Sequence, residues 1–485
     1  MRRMTRRTFL TGTLAAGTAA LLSPRSRVLG ANDDIRVAVI GFNGKGQTHI
    51  DMLRAIKGVR VVALCDADKN VIDRTVKRLE ADKFPGKLET YQDIRKLLEN
   101  KDIDAITTAT PNHWHSLATV WACQAGKDVY VEKPISHEIW EGRKAVEAAR
   151  KYNRIVQAGT QSRSCAALKE VFEYLQKGEM GKILYARGFC YKPRGSIGKV
   201  TGPTTPPPSV DYNLWCGPAP MEPLKRMRLH YDWHWVWPTG NGDIGNQGIH
   251  EMDMCRWALG QKGLAPQVIS FGGRFVVDDD ATTPNTLVTL LGYKPAPLIF
   301  EVRGLPRKKG DKEMDAYRKL VRIGVCVQCE NGYFAGGAGG GWLYDKDDKQ
   351  VKKFSDPTGP GLHMANFINA VRSRKPEDLH ADILEGHLSS ALCHMGNIPY
   401  RLGKEAAPDK IQETFKSHDQ MLDSLERMKQ HLAANDCDLA KSLAILGPSL
   451  EFDSDKEQFT GAMAAEANKY VTREYRAPFV VPEKV

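Results

Sequence analysis

The stretch IRVAVIGFNGKGQTHIDMLRAIKGVRVVALCD, residues 35–66, decides the fold. An apolar run at 35–40 is followed by glycines at 41, 44 and 46, then by a segment at 48–57 that can be helical, and then by a second apolar run at 59–65. This order predicts a strand, a tight turn, a helix and a second strand. At such a turn the first amide groups of the helix are unpaired, and glycine lets a phosphate approach the backbone closely.

Asp66 closes the second predicted strand, twenty residues after Gly46. A carboxylate there can accept hydrogen bonds from both ribose hydroxyls of an adenosine and repels a 2′-phosphate, so the sequence favours NAD over NADP. The turn departs from G-x-G-x-x-G because Asn43 stands where a glycine is usual, but Asn tolerates left-handed backbone. A plain strand-to-helix connection is the alternative. The residues predicted to bind the dinucleotide here are Gly41, Asn43, Gly44, Lys45, Gly46 and Asp66.

Residues 1–31 precede the predicted fold and have the pattern of a targeting signal. Arg6 and Arg7 are followed by an apolar stretch at 10–22 that is too short to span a bilayer, and small residues near 29–31 offer a cleavage zone. This segment resembles a twin-arginine signal, which implies export of a folded protein to the periplasm, often with its cofactor. A disordered basic tail is the alternative.

Composition and charge limit the classes of partner and the number of domains that this chain can have. The formal charge is +11, and six arginines lie before Asn32 with no acidic residue among them, so the rest of the chain carries only +5. Without a cluster of basic residues interleaved with aromatics, this excess argues against nucleic acid as a partner. A length of 485 residues with 42% hydrophobic residues predicts two domains, and no later apolar run is long enough to cross a membrane.

Two further strands end in polar motifs. The predicted strand at 105–109 runs into Thr-Pro-Asn-His-Trp-His at 110–115, and the strand at 128–131 ends in Glu132-Lys133-Pro134. Doubly wound parallel sheets bind their ligands at the carboxyl ends of the strands. We therefore expect both motifs at the same site as the glycine turn.

Together with His250-x-x-Asp253-x-x-x-Trp257-x-x-Gly260, these motifs resemble the glucose-fructose oxidoreductase and inositol dehydrogenase (Gfo/Idh/MocA) family over roughly residues 35–402. The resemblance implies that Lys133 lies beside the nicotinamide and the substrate, and that Glu132 helps to hold the nicotinamide ribose. It also implies that Gln161 lies near the nicotinamide carboxamide. The residues of the 110–115 turn expected to line the cofactor are Pro111, Asn112, His113 and His115.

The chemistry expected of Lys133 agrees with this placement. A lysine fixed before proline at a strand end, half-buried near a cationic ring, has its ammonium form disfavoured by desolvation and by like charge. It can then polarise or deprotonate a sugar hydroxyl. A solvated loop lysine is the alternative.

This sequence departs from the D-x-x-x-H pair that is usual in the family. His250 supplies the histidine, but Asn246 stands where the aspartate is expected. Asn can orient a hydroxyl and cannot exchange a proton at ordinary pH, so proton transfer must depend on His250, Lys133 or another carboxylate such as Asp243. The predicted catalytic residues are Lys133, His250 and Asn246.

From residue 183 onward, serial strands with few helices predict a largely antiparallel open sheet. The fold class is therefore α/β, a Rossmann doubly wound parallel sheet followed by an α+β domain. The predicted units are a signal at 1–31, an NAD-binding domain at 32–158, a substrate and oligomerisation domain at 159–405, and a helical extension with an extended arm at 406–485. The last unit is expected to cap the body or to contact a sister subunit in a homo-oligomer.

Residues 193–260 form a long, aromatic-rich connection that suits a carbohydrate, because sugar faces stack on rings. Trp233, Trp235 and Trp237 alternate, so in a strand they would share one face, although such a run can also be core. The residues predicted to bind substrate are Tyr191, Lys192, Arg194, Trp235, Asp243 and His250.

No metal is expected. Cys326 and Cys329 form a lone C-x-x-C pair, His387 and His394 share a helical face without further ligands, and the ten cysteines are expected to be buried thiols.

Three functions remain open. The first is an exported NAD-dependent oxidoreductase that acts on a sugar, cyclitol or glycoside and holds its cofactor tightly. The second is a redox-neutral NAD-dependent glycosidase, as in relatives of the family, in which oxidation, elimination, hydration and reduction follow one another. The third is a binding protein that keeps NAD as a structural element.

Overall fold

The computed structural model describes residues 34–84, 86–318 and 321–485. The predicted signal at 1–31 lies outside these residues.

The first sheet is parallel and consists of six strands in the order β3-β2-β1-β4-β5-β6. Its strands are β1 Ile35–Ile40, β2 Val59–Cys65, β3 Glu89–Tyr91, β4 Ala105–Thr108, β5 Asp128–Val131 and β6 Val156–Ala158. Its helices are α1 Lys45–Arg54, α2 Lys69–Ala81, α3 Ile94–Glu99, α4 His115–Gln124 and α5 Ile139–Lys151. The central strands are buried on both faces, which is why their sequences are almost continuously apolar.

One boundary differs from the expected one. Helix α1 begins at Lys45, three residues before the start predicted at 48, so its first turn directly follows the glycine turn. The segment 91–99 is divided between the end of β3 and α3. The division occurs because the Asp93 side chain accepts a hydrogen bond from the amide of Arg95 and caps α3 there.

The second sheet is large and mostly antiparallel, with the main order β14-β13-β12-β11-β7-β10-β9-β8-β16-β15, and among its described strands only β7 and β10 pair in parallel. Its strands are β7 Ile183–Tyr191, β8 Gln267–Gly273, β9 Thr286–Leu291, β10 Leu298–Arg303, β11 Ile323–Cys329, β12 Gly332–Gly337, β13 Gly340–Tyr344, β14 Gln350–Ser355, β15 Lys404–Ala406, β16 Ala444–Leu446, β17 Leu450–Asp453 and β18 Gln458–Thr460. The remaining helices are α6 Ala166–Gln176, α7 Tyr212–Cys216, α8 Gly242–Asn246, α9 Gly248–Ala258, α10 His363–Ser373, α11 Ile383–Leu402, α12 Pro408–Thr414, α13 Asp419–Ala433 and α14 Ala464–Ala467. The predicted fold class is confirmed.

Both faces of the second sheet are covered. Helices α6, α9 and α11 pack on the inner face in the largest apolar cluster. Helices α12 and α13 pack on the outer face, because Met421, Leu425, Met428 and Leu432 recur at helical spacing and meet apolar residues of β8, β9 and β10.

The final residues, 471–485, lie against the first domain. The ring of Phe479 packs edge-on against Trp114, with centroids 5.5 Å apart. Arg473 pairs with Glu138 at 3.3 Å, and the Tyr475 hydroxyl donates to Glu141 at 3.1 Å. The last part of the chain therefore completes the surface of the domain that is made first.

All ten cysteines are free and buried. Across the described part of the chain, no helix has the length and apolar character needed to cross a membrane.

Candidate active site

A cavity of about 450 Å³ lies at the carboxyl ends of β1, β2, β4 and β5, where the strand order of the first sheet reverses. One wall comes from the turns that follow these strands, and the other comes from residues 214–250 of the second domain. Of the predicted cofactor and catalytic residues, it is lined by Gly41, Asn43, Gly44, Lys45, Asp66, Pro111, Asn112, His115, Glu132, Lys133, Gln161, Asn246 and His250. The topological switch point of a doubly wound sheet is the usual ligand site.

The three glycines of the first turn have different structural roles. Gly41 adopts a φ of +72°, and a Cβ on it would lie 2.7 Å from the amide nitrogen of Thr110. Gly44 caps α1 without a side-chain hydrogen bond, and a Cβ on it would meet nothing within 4 Å. Gly46 lies outside the cavity, where a Cβ would come within 2.2 Å of the Gly41 carbonyl oxygen. The turn thus leaves an open cradle at a helix start whose amides no side chain caps, as a phosphate requires.

Asp66 lies at the far end of this cradle. Its carboxylate accepts hydrogen bonds from the amides of Phe42 at 3.1 Å and Asp68 at 3.0 Å. Burial raises the pKa of Asp66, and these two bonds oppose that shift. The carboxylate is thereby fixed at the cavity wall, with acceptor capacity left for hydroxyl donors. The Asn43 side chain accepts from Arg74 at 2.7 Å.

Asn112 carries a buried polar atom without a partner. Its Nδ2 donates to Asn241, while its Oδ1 has no hydrogen-bond partner among the described residues. Such an atom costs free energy unless a bound molecule satisfies it, and Asn112 lines the cavity. Together with the open cradle at Gly44, this acceptor fits the binding of a dinucleotide.

The two histidines of the same turn differ. The His115 ring nitrogens lie 2.6 and 2.8 Å from the carbonyl oxygens of Pro134 and Thr110, so the ring ties the two cavity turns together. His113 is fully buried behind the cavity wall, 3.1 Å from the carbonyl oxygen of Trp215. The structure therefore gives His113 a packing position rather than a lining one.

Glu132 is a buried carboxylate with two partners at the cavity. Its Oε1 lies 3.1 Å from the His49 ring and accepts from the Gln161 amide at 3.2 Å. Burial would raise the pKa of Glu132, but the bond to His49 and the nearby positive charges of Lys133 and Lys45 outweigh it and hold the pKa well below its usual range. Glu132 is thus a fixed anion.

Lys133, Asn246 and His250 come together on the opposite side of the cavity from Asp66. The Lys133 ammonium donates to the Asn246 carbonyl oxygen at 2.8 Å. Burial lowers the pKa of Lys133, and the negative charges of Glu132 and Glu251 oppose that shift. Burial and the neighbouring Lys133 lower the pKa of His250 to about 3, so its imidazole is neutral at ordinary pH. The lowered pKa of Lys133 makes its amine the better proton acceptor of the two, whereas the neutral His250 imidazole is suited to hydrogen-bonding a hydroxyl.

Sequence reasoning missed Glu251, which lies behind this group. Its side chain is buried, its Oε2 has no hydrogen-bond partner within the described chain, and burial raises its pKa to about 8. Gln247 links it to Lys192, donating to Glu251 at 3.3 Å and accepting from Lys192 at 2.9 Å. The available signal was a charged residue beside His250 on a helix that is otherwise mostly apolar.

The other predicted substrate residues do not line the cavity. Tyr191 is buried in the second sheet, and its hydroxyl donates to Glu301 at 2.5 Å. Arg194 forms a two-pronged ion pair with the buried Asp243, with both contacts at 2.8 Å. Trp235 is buried, and the Arg194 guanidinium lies over it, 5.0 Å from the centre of the Trp235 ring.

Arg194 and Trp235 instead border a second, open groove of about 620 Å³. Tyr231 lines both the cavity and this groove and therefore lies at their junction.

The three tryptophans do not lie in a strand, so the condition under which they would share one face is not met, and for the buried Trp235 the core alternative holds. Residues Asp232–Trp235 form a 3₁₀-helix, in which alternate side chains diverge. Trp233 lines the cavity and packs near Ala67, Trp235 lies in a separate apolar cluster, and Trp237 lies under the Arg401 guanidinium.

Residues 204–230, named the strap here, lie over the adenosine end of the cavity. The strap is joined to the turn after β2, since Lys69 N donates to Ser209 O and Asp211 N donates to Ala67 O, both at 2.9 Å. The His230 ring lies 2.9 Å from the Asp68 carboxylate.

Aromatic packing and the end of the chain hold the strap from the other sides. The Trp114 indole donates to Leu214 O at 3.0 Å, and Arg476 donates to the carbonyl oxygens of Asn213 at 2.8 Å and Gly217 at 2.9 Å. Leu214, Trp215, His230 and Trp233 line the cavity beside residues 65–67. Sequence reasoning had not placed these residues at the cofactor, because the contacts join distant parts of the chain.

No group of three or more His, Cys, Asp or Glu residues suited to a metal ion occurs in the described ranges. His387 lies 2.8 Å from Glu457, and His394 lies 3.1 Å from the Ser136 hydroxyl.

Comparison with known families identifies both domains. Residues 35–160 match the NAD-binding Rossmann-fold domain of an oxidoreductase family, and residues 180–290 match the C-terminal alpha/beta domain of the same family. The first domain is therefore an NAD-binding Rossmann domain.

Curated relatives include sugar-active and cyclitol-active enzymes. The chain is 28% identical to scyllo-inositol 2-dehydrogenase (NAD(+)) of Bacillus subtilis over 32% of this chain and 44% of that protein. It is 31% identical to alpha-N-acetylgalactosaminidase of Shewanella oneidensis over 25% of this chain and 26% of that protein. It is 22% identical to myo-inositol 2-dehydrogenase of Thermotoga maritima over 54% of this chain and 66% of that protein. The matched regions span less than two thirds of each relative.

Solved structures share the fold at low identity. The WlbA dehydrogenase of Bordetella pertussis, crystallised with NADH and UDP-GlcNAcA, aligns with a TM-score of 0.54 and 19% identity, over 75% of this chain and 95% of that one. An oxidoreductase domain protein of Kribbella flavida aligns with a TM-score of 0.55 and 17% identity, over 74% and 95%.

Proposed function

We propose, from the premise that this chain belongs to the Gfo/Idh/MocA family of NAD-binding oxidoreductases, that it oxidises a secondary hydroxyl of a sugar, cyclitol or glycoside with an NAD that it retains. One observation carries this proposal. Lys133, whose lowered pKa suits a proton acceptor, and the neutral His250 meet Asn246 in the same cavity as the glycine turn and Asp66.

The proposed role of each cavity residue follows from its position. The amides after Gly44 and the carboxylate of Asp66 would hold the dinucleotide, whose nicotinamide would take the hydride of a carbinol carbon and then pass it to the carbonyl of a second sugar, or back to the oxidised one, so that NAD is restored. Glu132 and Gln161 lie near Lys133 as fixed polar groups suited to orienting bound molecules. Lys133 receives the hydroxyl proton, because burial disfavours its ammonium form, and the neutral His250 imidazole orients the hydroxyl by a hydrogen bond.

The strap supports retention of the cofactor. It covers the adenosine end with side chains from a different part of the chain and is joined to the first domain by backbone hydrogen bonds and by the pair of His230 and Asp68. A dinucleotide held there would leave only when these contacts break. Retention suits the export that we infer from Arg6 and Arg7, because no free NAD pool is expected in the periplasm.

A second candidate is redox-neutral cleavage of a glycoside. Two observations favour it. Asn246 provides no carboxylate for a simple dehydrogenase pair, and the covered adenosine end opposes exchange of the nucleotide in each turnover. The relative named alpha-N-acetylgalactosaminidase gives a first substrate class to try.

One experiment tests the proposal and separates the two candidates. The purified chain is examined for bound nucleotide by mass spectrometry, and the reduced-nicotinamide absorbance is then followed with a panel of inositols, free sugars and methyl glycosides. Lasting reduction with a stoichiometric oxidised product supports net oxidation. Release of the aglycone without net reduction supports cleavage. Bound NAD whose absorbance changes with no carbohydrate would contradict both and leave the structural role for NAD.

Export has its own test. Replacing Arg6 and Arg7 by Lys in the full-length chain, in a bacterial host with a twin-arginine pathway, should move the protein from the periplasmic to the cytoplasmic fraction. An unchanged distribution would contradict the proposed route.

A further inference from the structure

The open groove next to the cavity has the features of a second binding site. Its volume, about 620 Å³, lies in the range of roughly 300–1,000 Å³ that accommodates small ligands. Its walls are the start of the connection after β7, around Arg194 and Gly195, and the segment of Met227, Arg228 and Tyr231. No predicted cofactor residue lines it, so it is separate from the nucleotide cradle.

The groove offers both apolar faces and fixed hydrogen-bond donors. Tyr231 and Met227 are among the most exposed large apolar side chains of the described protein, at 43% and 71%. Arg228 lies over the Tyr231 ring at 5.2 Å, and its guanidinium is held by the buried carboxylate of Asp232 at 2.7 Å. Stacking surfaces beside guanidinium N–H groups are the contacts that a pyranose ring and its hydroxyls require.

These donors are preorganised. Asp243 binds the Arg194 guanidinium through two contacts and leaves its Nη1 to donate to the Tyr231 hydroxyl at 3.2 Å. Since both arginines are fixed by buried carboxylates, little side-chain freedom is lost when a ligand binds. Charge is nearly balanced within each pair, which favours a neutral polar ligand over a strongly anionic one.

Tyr231 lines both the groove and the cavity, and the neighbouring His234 lies near enough to Lys133 for that positive charge to help burial lower the His234 pKa. His234 lines the cavity three residues further on, and its ring nitrogen lies 2.6 Å from the Tyr231 carbonyl oxygen. A molecule that extends out of the cavity past Tyr231 therefore enters this groove.

We propose that the groove binds the second sugar unit of a glycoside whose reacting unit lies in the cavity beside Lys133. This inference rests on the proposed function and narrows its substrate class to disaccharides and longer glycosides. Inositols and single sugars would fill the cavity only.

Gly195 gives a clean way to test the site. A Cβ at Gly195 would meet nothing within 4 Å, so Gly195→Phe can fill the groove without displacing the protein around it. Gly202→Phe is the matched control, because Gly202 also has open space around its Cβ, lies in the same connection and does not line the groove.

The test compares a methyl glycoside with the matched disaccharide, for the sugar selected by the panel. Gly195→Phe should lower kcat/KM for the disaccharide by at least about tenfold, mainly through KM, and change that for the methyl glycoside by less than about twofold. Gly202→Phe should change neither. Equal losses on both substrates, or no loss on either, would overturn the inference.

Calorimetric binding of all the methyl glycosides of the panel and of their matched disaccharides tests the groove independently of turnover. Wild type should bind the disaccharide more tightly than the methyl glycoside, and Gly195→Phe should abolish that difference. If no carbohydrate undergoes redox chemistry but this binding difference is present, the proposed function fails and the groove assignment stands. If wild type binds the two alike, the groove assignment fails whatever the activity.

Discussion

The two ends of the cavity are built in different ways. At the adenosine end, backbone amides, glycines and the fixed carboxylate of Asp66 form one wall, and the strap forms a cover that is hydrogen-bonded to the first domain. At the reacting end, Lys133 and His250 face the space, and Tyr231 opens it to a groove. The covered adenosine end suits a cofactor that stays bound, and the open reacting end suits substrates and products that exchange in each turnover.

The largest effect is expected at the reacting end. Lys133→Ala removes the proton acceptor and should lower turnover by at least about 100-fold, in the range of general acid-base contributions, without loss of bound nucleotide. Steady-state kinetics and the nucleotide content of the purified variant measure the two parts. Lys177→Ala, at an exposed position, is the control. Wild-type turnover in Lys133→Ala would remove this residue from the mechanism.

A smaller effect is expected from the adenosine wall. Asp66→Asn loses the charge that repels a 2′-phosphate and one of the acceptors used by the Phe42 and Asp68 amides. NAD should bind at least about tenfold more weakly, and the preference for NAD over NADP should shrink, as measured by titration of nucleotide-free protein. Asp51→Asn, at an exposed ion pair, should leave both values unchanged. An unaltered preference in Asp66→Asn would show that another group selects the cofactor.

The strap should change residence time rather than chemistry. His230→Ala removes the contact with Asp68, and NAD should dissociate up to about tenfold faster while the chemical step in a single turnover stays close to wild type. Displacement by excess labelled NAD measures the rate, and His418→Ala, at an exposed histidine, is the comparison. Slower chemistry with unchanged dissociation would reverse the roles given to the two ends.

The smallest effect on the cavity is expected from Glu251→Gln, which instead tests stability. Because burial raises the pKa of Glu251 to about 8, the folded protein holds a proton that the unfolded chain has lost above its ordinary pKa of 4.5. The free energy of unfolding should therefore fall as pH rises from about 4.5 to 8, by an amount on the order of a few kcal/mol. Gln cannot ionise, so the variant should lose that part of the slope.

Denaturant unfolding of Glu251→Gln at pH 5, 7 and 9 checks this expectation. Glu99→Gln, at an exposed ion pair, is the control and should follow wild type. Parallel curves for wild type and Glu251→Gln would show that the carboxyl is ionised in the fold.

The parts that the sequence predicted well are those with local signals. The glycine turn, the strand ending at Asp66 and the motif at Lys133 each combine an apolar run with a chain break, so their positions at the strand ends follow from the order of elements alone. The start of α1 was misjudged because glycine disfavours helix, whereas Gly46 is required there by its contact with the Gly41 carbonyl oxygen.

The parts that the sequence could not predict depend on tertiary contacts. Tyr191 was expected at the substrate, but β7 is buried on both faces, so its sequence has no alternation that tells the inner face from the outer one. His230 and Asp68 are 162 residues apart, and nothing local links them. Glu251 differs from a surface glutamate only through what packs over it.

The position of Phe479 on Trp114 has a consequence for how the molecule is made. On the ribosome the nucleotide domain emerges first and can begin to fold while later residues are still being added. The surface around Trp114, however, is covered by the Phe479 ring, which is more than 300 residues downstream. The domain can therefore reach its native state only after Phe479 has been translated. A fragment that ends after the first sheet would therefore expose this surface and is expected to self-associate.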